Sequence, residues 1–183
     1  MLEKYLVEHC SPTLASLKTA NLFRCCCPDR MKMRECVTYW NQQFSQKGIR
    51  MMILKEWKEM TLIYLYRPER LKEDLSNSDT REFLSQLGYQ EFNPDSALLH
   101  LKHRMKEEKQ FPHEIGIFLG YPLEDVTGFI ENEGKNYSCR GLWKVYGDAG
   151  KAQCIFQKFR KCHDIYCKRW QEGYSIQKLT VAS

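Results

Sequence analysis

The feature that most constrains the fold is the stretch Met60–Tyr66, MTLIYLY, which is apolar on both of its alternating faces. Successive side chains of a β-strand point to opposite faces, so a strand that is apolar on both sides needs cover on both sides. A second apolar run, Ile49–Leu54, precedes it, and the polar segment KEWKE separates the two. This pattern predicts a β-hairpin whose second strand lies in the interior of a sheet.

Helical patterns surround this hairpin. Apolar residues at steps of three and four predict a helix over Arg30–Gln46, and Gly48 is a stop signal for it. Further helices are predicted over residues 2–9, with an end at Ser11–Pro12, and over residues 13–19, 79–87 and 94–108. Ala20–Cys27 reads as extended chain.

The second half of the chain predicts alternating strands and helices. Glu114–Gly120 reads as a strand, and Pro122 opens a helix with an acidic first turn that ends before Gly134. Gly141–Tyr146 reads as a strand, and Asp148 can cap a long helix from 149 to about 171. The order of elements predicts the α+β class, with one domain over residues 1–183 and a mixed four- or five-stranded sheet on which helices pack.

The cysteines and the hydropathy predict a cytoplasmic protein. No apolar stretch approaches the roughly 20 residues that a membrane span needs, and the start MLEKYLVEHCSP lacks the pattern of a secretion signal. The nine cysteines are odd in number, and three are adjacent at 25–27, which is a poor arrangement for disulfide pairing. We therefore expect reduced thiols.

Positive charge is concentrated near one predicted helix. The chain has a formal charge of +5, and residues 135–172 hold nine Lys or Arg against three acidic residues. One side of the long helix carries Lys151, Lys158, Lys161 and Lys168. Such a side favours docking of an acidic protein, although a lysine-rich face is also commonly just solvated. Nucleic acid is disfavoured, because the nearby aromatic residues are predicted to be in strand or core positions.

Several long motifs resemble domain-of-unknown-function family 3793. They are HCSPTLASLKTANLF (9–23), LIYLYRPERL (62–71), FPHEIGIFLGYPLEDVTGFIENEGKNY (111–137), WKVYGD (143–148) and SIQKLTVA (175–182). The resemblance implies a small, single-domain cytosolic protein of anaerobic bacteria and brings no established activity with it. It further implies a role around iron or low-potential electron transfer, with an acidic redox protein such as a flavodoxin as the partner.

The motifs contain the candidate site residues. Cys10 lies beside His9 and near Lys18, and a neighbouring cation lowers the pKa of a thiol, so Cys10 could be a nucleophile with His113 as its base. The alternative is that Cys10 is a small buried hydrophobe. Lys18, Lys144 and Tyr146 are the candidate ligand-binding residues, and we expect Cys10, Lys18, His113 and Lys144 to share a pocket. Strand alternation would keep His113 and Glu114 from acting as one dyad.

Three functions remain open from the sequence. The leading one is an accessory or binding protein of anaerobic metabolism, linked to iron or to flavodoxin-dependent redox processes. The second is a thiol-dependent enzyme with Cys10 as nucleophile and His113 as base. The third is a metal or Fe–S protein that uses the cysteines at 25, 26, 27 and 36, with Cys10 as a further candidate, although the chain has no CxxC pair and we assign no residue as a metal ligand. LGYPLED matches no nucleotide-binding motif, so no cofactor is named.

Overall fold

A computed structural model of the chain describes residues 2–107 and 111–182. Contacts divide it into a first unit, Met1–Leu71 with Lys161–Ser183, and a second unit, Lys72–Arg160. This division into units does not test the prediction of a single domain over residues 1–183, which stays a prediction. No helix in the described ranges is long and apolar enough to cross a membrane.

The first unit is built on an antiparallel sheet. Its strands are β1 (Ala20–Cys26), β2 (Arg50–Trp57) and β3 (Met60–Tyr66), in the order β1-β3-β2. β3 lies in the centre, and six of its seven residues are buried, which confirms the interior strand predicted from MTLIYLY. The hairpin of β2 and β3 and the extended chain of β1 are confirmed as well.

Two main helices cover this sheet. They are α1 (Glu3–Leu14) and α2 (Arg30–Phe44), and α2 is followed by a 3₁₀ turn, Ser45–Lys47, and by Gly48 with φ +64°. The predicted apolar stripe of α2 is buried, namely Met33, Val37, Trp40 and Phe44. The predicted end of α1 at Ser11–Pro12 is wrong, because the helix continues through Pro12 to Leu14. Burial of apolar residues on both sides of Pro12 outweighs the local preference of that residue.

A buried arginine ties the end of α1 to the end of the chain. Arg67 directly follows β3 and is 1% exposed. Its guanidinium donates hydrogen bonds to the backbone oxygens of Thr13 at 2.8 Å, Leu14 at 3.0 Å and Val181 at 2.7 Å. The last carbonyls of a helix have no partner within the helix, so this one side chain satisfies two of them.

The second unit is mainly helical. It contains most of α3 (Pro68–Ser76), then α4 (Ser78–Gln86), α5 (Pro94–Glu107), α6 (Ile115–Phe118) and α7 (Leu123–Glu131). The predicted helices over 79–87 and 94–108 correspond to α4 and α5, and the predicted end at residue 108 lies outside the described residues. α7 begins directly after Pro122, as predicted.

The predicted strand over Glu114–Gly120 is wrong. The segment forms α6, a single helical turn, and Gly120 ends it with φ +72°. All of its residues from Ile115 to Leu119 are buried, and a short run that is apolar all round fits a helix as well as a strand. Glu114 is also buried, and its Oε1 accepts hydrogen bonds from Arg104 Nε at 2.6 Å and from the Tyr89 hydroxyl at 3.2 Å.

The strand predicted over Gly141–Tyr146 is much shorter than expected. β4 (Cys139–Arg140) pairs with β5 (Lys144–Val145) in a two-stranded antiparallel hairpin. Residues 141–143 form the turn between the two strands, in which Gly141 N donates a hydrogen bond to Trp143 O at 3.0 Å. At the other end, the backbone N–H of Tyr146 is bound by a side chain instead of a partner strand. The described sheets therefore have three and two strands and are all antiparallel, which corrects the prediction of one mixed sheet of four or five strands.

The long helix agrees with its prediction. α8 (Ala149–Gln171) starts after Asp148, whose Oδ1 accepts a hydrogen bond from Lys151 N at 3.0 Å. Lys151, Lys158, Lys161 and Lys168 are exposed, as expected for the lysine side of this helix. A short helix, α9 (Ile176–Leu179), follows near the end of the chain.

Candidate functional site

The second unit contains a cavity of about 340 Å³ between α6, α7 and the β4–β5 hairpin. We call it the aromatic pocket, because the rings of Tyr121, Phe129 and Trp143 line it. Besides Tyr121, the charged or titratable side chains in its wall are His113, Asp125, Arg140 and Lys144. Its volume is at the lower end of the range of about 300 to 1,000 Å³ that is typical of small-molecule sites.

A buried carboxylate fixes one wall of the aromatic pocket. Asp125, in the first turn of α7, is 4% exposed. Its Oδ2 accepts a hydrogen bond from Trp143 Nε1 at 2.7 Å, and its Oδ1 accepts from the backbone N–H groups of Tyr146 at 2.7 Å and Gly147 at 2.9 Å. These three donors satisfy the carboxylate and hold the end of β5 against α7. Asp125 is thus a positioning residue whose carboxylate oxygens are already hydrogen-bonded.

Two glycines allow the walls to approach closely. A Cβ atom on Gly116 would lie 2.6 Å from Val126 Cγ2, and a Cβ atom on Gly128 would lie 2.5 Å from Tyr146 Cγ. Both separations are far below van der Waals contact. The glycines are needed for the packing of α6 on α7 and of α7 on the chain after β5.

The rings of the pocket are arranged in two groups. Tyr121 stacks on Trp143 with ring centroids 4.6 Å apart and an interplanar angle of 22°, and Phe156 meets Trp143 edge-on at 4.5 Å. His113 lies 4.9 Å from the ring of Phe129. Burial raises the pKa of Tyr121 to about 12, so its hydroxyl is neutral at ordinary pH. These contacts fix the orientation of the rings before any ligand binds.

Lys144 is held in place at the pocket. Its Nζ donates a hydrogen bond to the backbone oxygen of Gly134 at 2.6 Å and lies 5.5 Å from the ring centre of Phe129 and 5.1 Å from that of Tyr137. Gly134 has φ +71°, which a residue with a side chain rarely adopts. The turn and the rings together place a cation at the pocket wall.

His113 and Glu114 have separate environments. His113 is exposed and lines the pocket, whereas Glu114 is 2% exposed and is bound by Arg104 and Tyr89. The two side chains do not form one acid–base pair, although the reason is the helical turn and not the alternation of a strand. Glu114 instead connects the start of α6 to α5.

Cys10 and Lys18 belong to the first unit. Cys10 is fully buried on α1, and burial raises the pKa of its thiol, with a smaller opposing effect of Lys18. Burial lowers the pKa of Lys18 to about 8. The structure thus pairs Cys10 with Lys18 in one unit and His113 with Lys144 in the other.

Tyr146 lies beside the aromatic pocket and not in its lining. Its ring packs against Gly128, and its hydroxyl is buried without a hydrogen-bond partner among the described residues. Burial is the main cause of the raised pKa of this hydroxyl. Tyr146 contributes to the site through its backbone N–H, which donates a hydrogen bond to Asp125.

Sequence reasoning missed several residues of the pocket. The acidic first turn that contains Asp125 is explained from the sequence by the helix dipole alone, and Trp143 is among the aromatic residues predicted in strand or core positions. Tyr121, Asp125, Phe129 and Trp143 all belong to the two motifs at 111–137 and 143–148, and that clustering is the signal that could have identified them. Arg140 lies outside both motifs, and no sequence signal identifies it.

The cysteines do not form a metal site in the described part of the chain. No group of three or more His, Cys, Asp or Glu is arranged there to hold a metal ion. Cys25 and Cys27 are buried on β1 and after it, and Cys26 is exposed. Burial and then the neighbouring thiols of Cys27, Cys36 and Cys26 raise the pKa of Cys25 to about 11, which keeps it a neutral thiol.

Comparison with known proteins identifies the family. The family model described as "Protein of unknown function (DUF3793)" matches residues 6–180, so the chain belongs to this family. The match confirms the resemblance seen in the motifs and extends across both units. Neither a curated protein nor a solved structure matches the chain.

Proposed function

We propose that this member of the DUF3793 family is a small-molecule binding protein whose ligand occupies the aromatic pocket. We further propose that it acts in the cytoplasm as an accessory protein of anaerobic metabolism, around iron or flavodoxin-dependent redox processes. The observation that carries the first proposal is a pocket with fixed rings and a fixed cation. The metabolic setting is supported by the family resemblance alone.

The pocket has the properties of a preformed binding site. Asp125 holds the backbone after β5, Tyr121 and Trp143 stack on each other, and Lys144 is bound to Gly134. A site with fixed walls loses less conformational entropy when a ligand binds, so more of the contact energy appears as affinity. Mostly apolar walls with a few oriented polar groups are typical of ligand sites.

The burial of Cys10 and the lining of the aromatic pocket weigh against a thiol enzyme. A nucleophilic cysteine needs exposure and a lowered pKa, whereas Cys10 is fully buried and the pKa of its thiol is raised. Among the described residues, those that line the aromatic pocket include no cysteine, serine or threonine. We therefore propose binding, and not nucleophilic catalysis, as the function of this site.

A fluorescence titration with the neutral dye N-phenyl-1-naphthylamine tests the proposal. We expect saturable binding of one dye per chain, weakened about tenfold by Phe129→Ala because a ring of the wall is lost. The matched control is Phe92→Ala, a half-buried ring of the same unit that packs on Arg81. Binding that is not saturable, or that both variants weaken equally, would contradict the proposal.

A second proposal concerns a partner. The lysine side of α8 presents Lys151, Lys158, Lys161 and Lys168, all exposed, and we propose that an acidic redox protein such as a flavodoxin docks there. Charge complementarity of this kind raises the association rate and makes it depend on salt.

Charge reversal tests the docking proposal with a purified flavodoxin. We expect Lys151→Glu, Lys158→Glu and Lys161→Glu together to slow association strongly at low salt. The control reverses the same number of exposed lysines elsewhere, at Lys4, Lys32 and Lys135. Equal association rates for the two triple variants would contradict docking on α8.

A further inference from the structure

We infer that the aromatic pocket binds a planar aromatic anion, that is, an aromatic ring system carrying a carboxylate, sulfonate or phosphate group. The inference rests on the proposed function and adds the chemical class of the ligand. Its evidence is the combination of ring faces and an excess of positive charge in one small cavity.

The ring part of the ligand is indicated by the walls. Tyr121, Phe129 and Trp143 all line the cavity and are neither buried completely nor fully exposed. Aromatic rings prefer stacked or edge-to-face contacts with other rings, which are more favourable than the area that they bury would suggest. Such walls select flat, unsaturated ligands over flexible aliphatic ones.

The charged part is indicated by the β4–β5 hairpin. Arg140 and Lys144 are directly opposite each other in its register, and both line the cavity. Side chains of directly opposed residues leave the same face of a hairpin with Cβ atoms about 5 Å apart, and two like charges in this position are destabilising. An anion placed between them would remove this repulsion.

Among the residues that the structure describes, a single negative charge in the lining, that of Asp125, opposes these two cations. Asp125 is the acidic residue of the lining, and its carboxylate already accepts three hydrogen bonds. Lys144 uses one donor toward Gly134, and an ammonium group has three. Within the described residues, the guanidinium of Arg140 has no ion pair. The pocket is therefore positive in the absence of a ligand.

Two dyes that differ in one charged group test the inference. 8-Anilinonaphthalene-1-sulfonate carries a sulfonate, and N-phenyl-1-naphthylamine has the same rings without it. We expect the anionic dye to bind the unmodified protein at least about tenfold more tightly, which is the size expected for hydrogen bonds to a charged group. We expect its affinity, and not that of the neutral dye, to fall as salt is added.

Variants locate the charge effect. Lys144→Met and Arg140→Met should each lower the ratio of anionic-dye affinity to neutral-dye affinity about tenfold. Arg140 is exposed, so Arg140→Met keeps the test valid even if Lys144→Met disturbs the turn at Gly134. Lys135→Met, an exposed lysine paired with Glu133, is the matched control and should change neither affinity.

The outcomes separate this inference from the proposed function. Equal affinities for the two dyes, or an anionic preference that survives both cation variants, would overturn the inference and leave the binding site in place. Failure of both dyes to bind saturably, or binding that Phe129→Ala does not weaken, would overturn the proposed function itself.

Discussion

Single residues carry much of the architecture of this protein. Asp125 is the clearest case, because one carboxylate binds the indole of Trp143 and two backbone N–H groups at once. Loss of an acceptor leaves buried donors unpaired, and each unpaired donor is destabilising by about 1 to 3 kcal/mol.

Replacement of this carboxylate should affect stability and binding together. We expect Asp125→Asn to lower the free energy of unfolding by about 1 to 3 kcal/mol, because an amide offers one acceptor oxygen where the carboxylate has two. Affinity for the naphthyl dyes should fall as well, since the wall of the pocket is no longer fixed. Urea denaturation and dye titration measure the two effects, with the exposed neighbour Glu124→Gln as control. An Asn variant that keeps both stability and affinity would contradict the positioning role.

Lys18 predicts an unusual dependence of stability on pH. The pKa of its ammonium group falls from 10.5 to about 8 in the folded protein because the residue is buried. Between these values the unfolded chain binds more protons than the folded chain, so the free energy of unfolding rises as the pH rises through this window. Below about pH 8 the folded protein bears the full cost of a buried charge, on the order of 3 kcal/mol.

Comparison with Lys18→Met isolates this effect from other titrating groups. Urea denaturation under reducing conditions, at pH 7 and at pH 10, gives the difference in stability between the two proteins. We expect the difference to move in favour of the unmodified protein at the higher pH, by a large part of the 3 kcal/mol estimated above for the buried charge. A difference that does not change with pH would show that Lys18 titrates as an ordinary lysine.

At the scale of elements, close contacts decide where α7 lies. Gly128 faces the ring of Tyr146, and a Cβ atom there would lie 2.5 Å from Cγ and 2.6 Å from Cβ of that residue. We expect Gly128→Ala to lower the free energy of unfolding by about 1 to 3 kcal/mol through this overlap. Thermal or urea denaturation measures it.

The control for this overlap is another helical glycine. A Cβ atom on Gly150 in α8 would meet only the side chain of Asp148, at 3.3 Å. Alanine is the better helix former, so Gly150→Ala should change stability by less than about 1 kcal/mol. A loss of stability at Gly150 equal to that at Gly128 would mean that contact with Tyr146 is not the cause.

Elements with a clear period could be predicted from the sequence. The stripe of α2 and the two-sided pattern of α8 appear in the structure as expected. β3 has no such period, and its prediction rests on its aromatic and branched residues and on the neighbouring run that completes a hairpin. The segment at 114–120 failed because it is short and apolar throughout, so neither period could be distinguished. The strand at 141–146 failed because residues 141–143 form the turn of the hairpin and because the side chain of Asp125 binds the backbone N–H of Tyr146, which no local pattern reveals.

At the scale of the whole molecule, the family match spans residues 6–180, while the candidate site lies within residues 72–160. Sequence reasoning named His113 and Lys144, and both line the aromatic pocket. It could not identify the pocket as a whole, because hydrogen bonds between residues about 20 positions apart bring α7 and the β4–β5 hairpin together, and α6 packs on α7 across Gly116. Charge and motif content are local properties, whereas a cavity depends on packing.

The most direct test of the aromatic pocket as the binding site is nuclear magnetic resonance of the indole N–H groups during titration with 8-anilinonaphthalene-1-sulfonate. The chain has four tryptophans, Trp40, Trp57, Trp143 and Trp170, and Trp143→Phe assigns the signal from the pocket. We expect the Trp143 signal to shift with saturation at one dye per chain, while the signal of Trp40, buried in the core of the first unit, stays in place. A saturable shift at Trp40, Trp57 or Trp170 with no change at Trp143 would contradict the account.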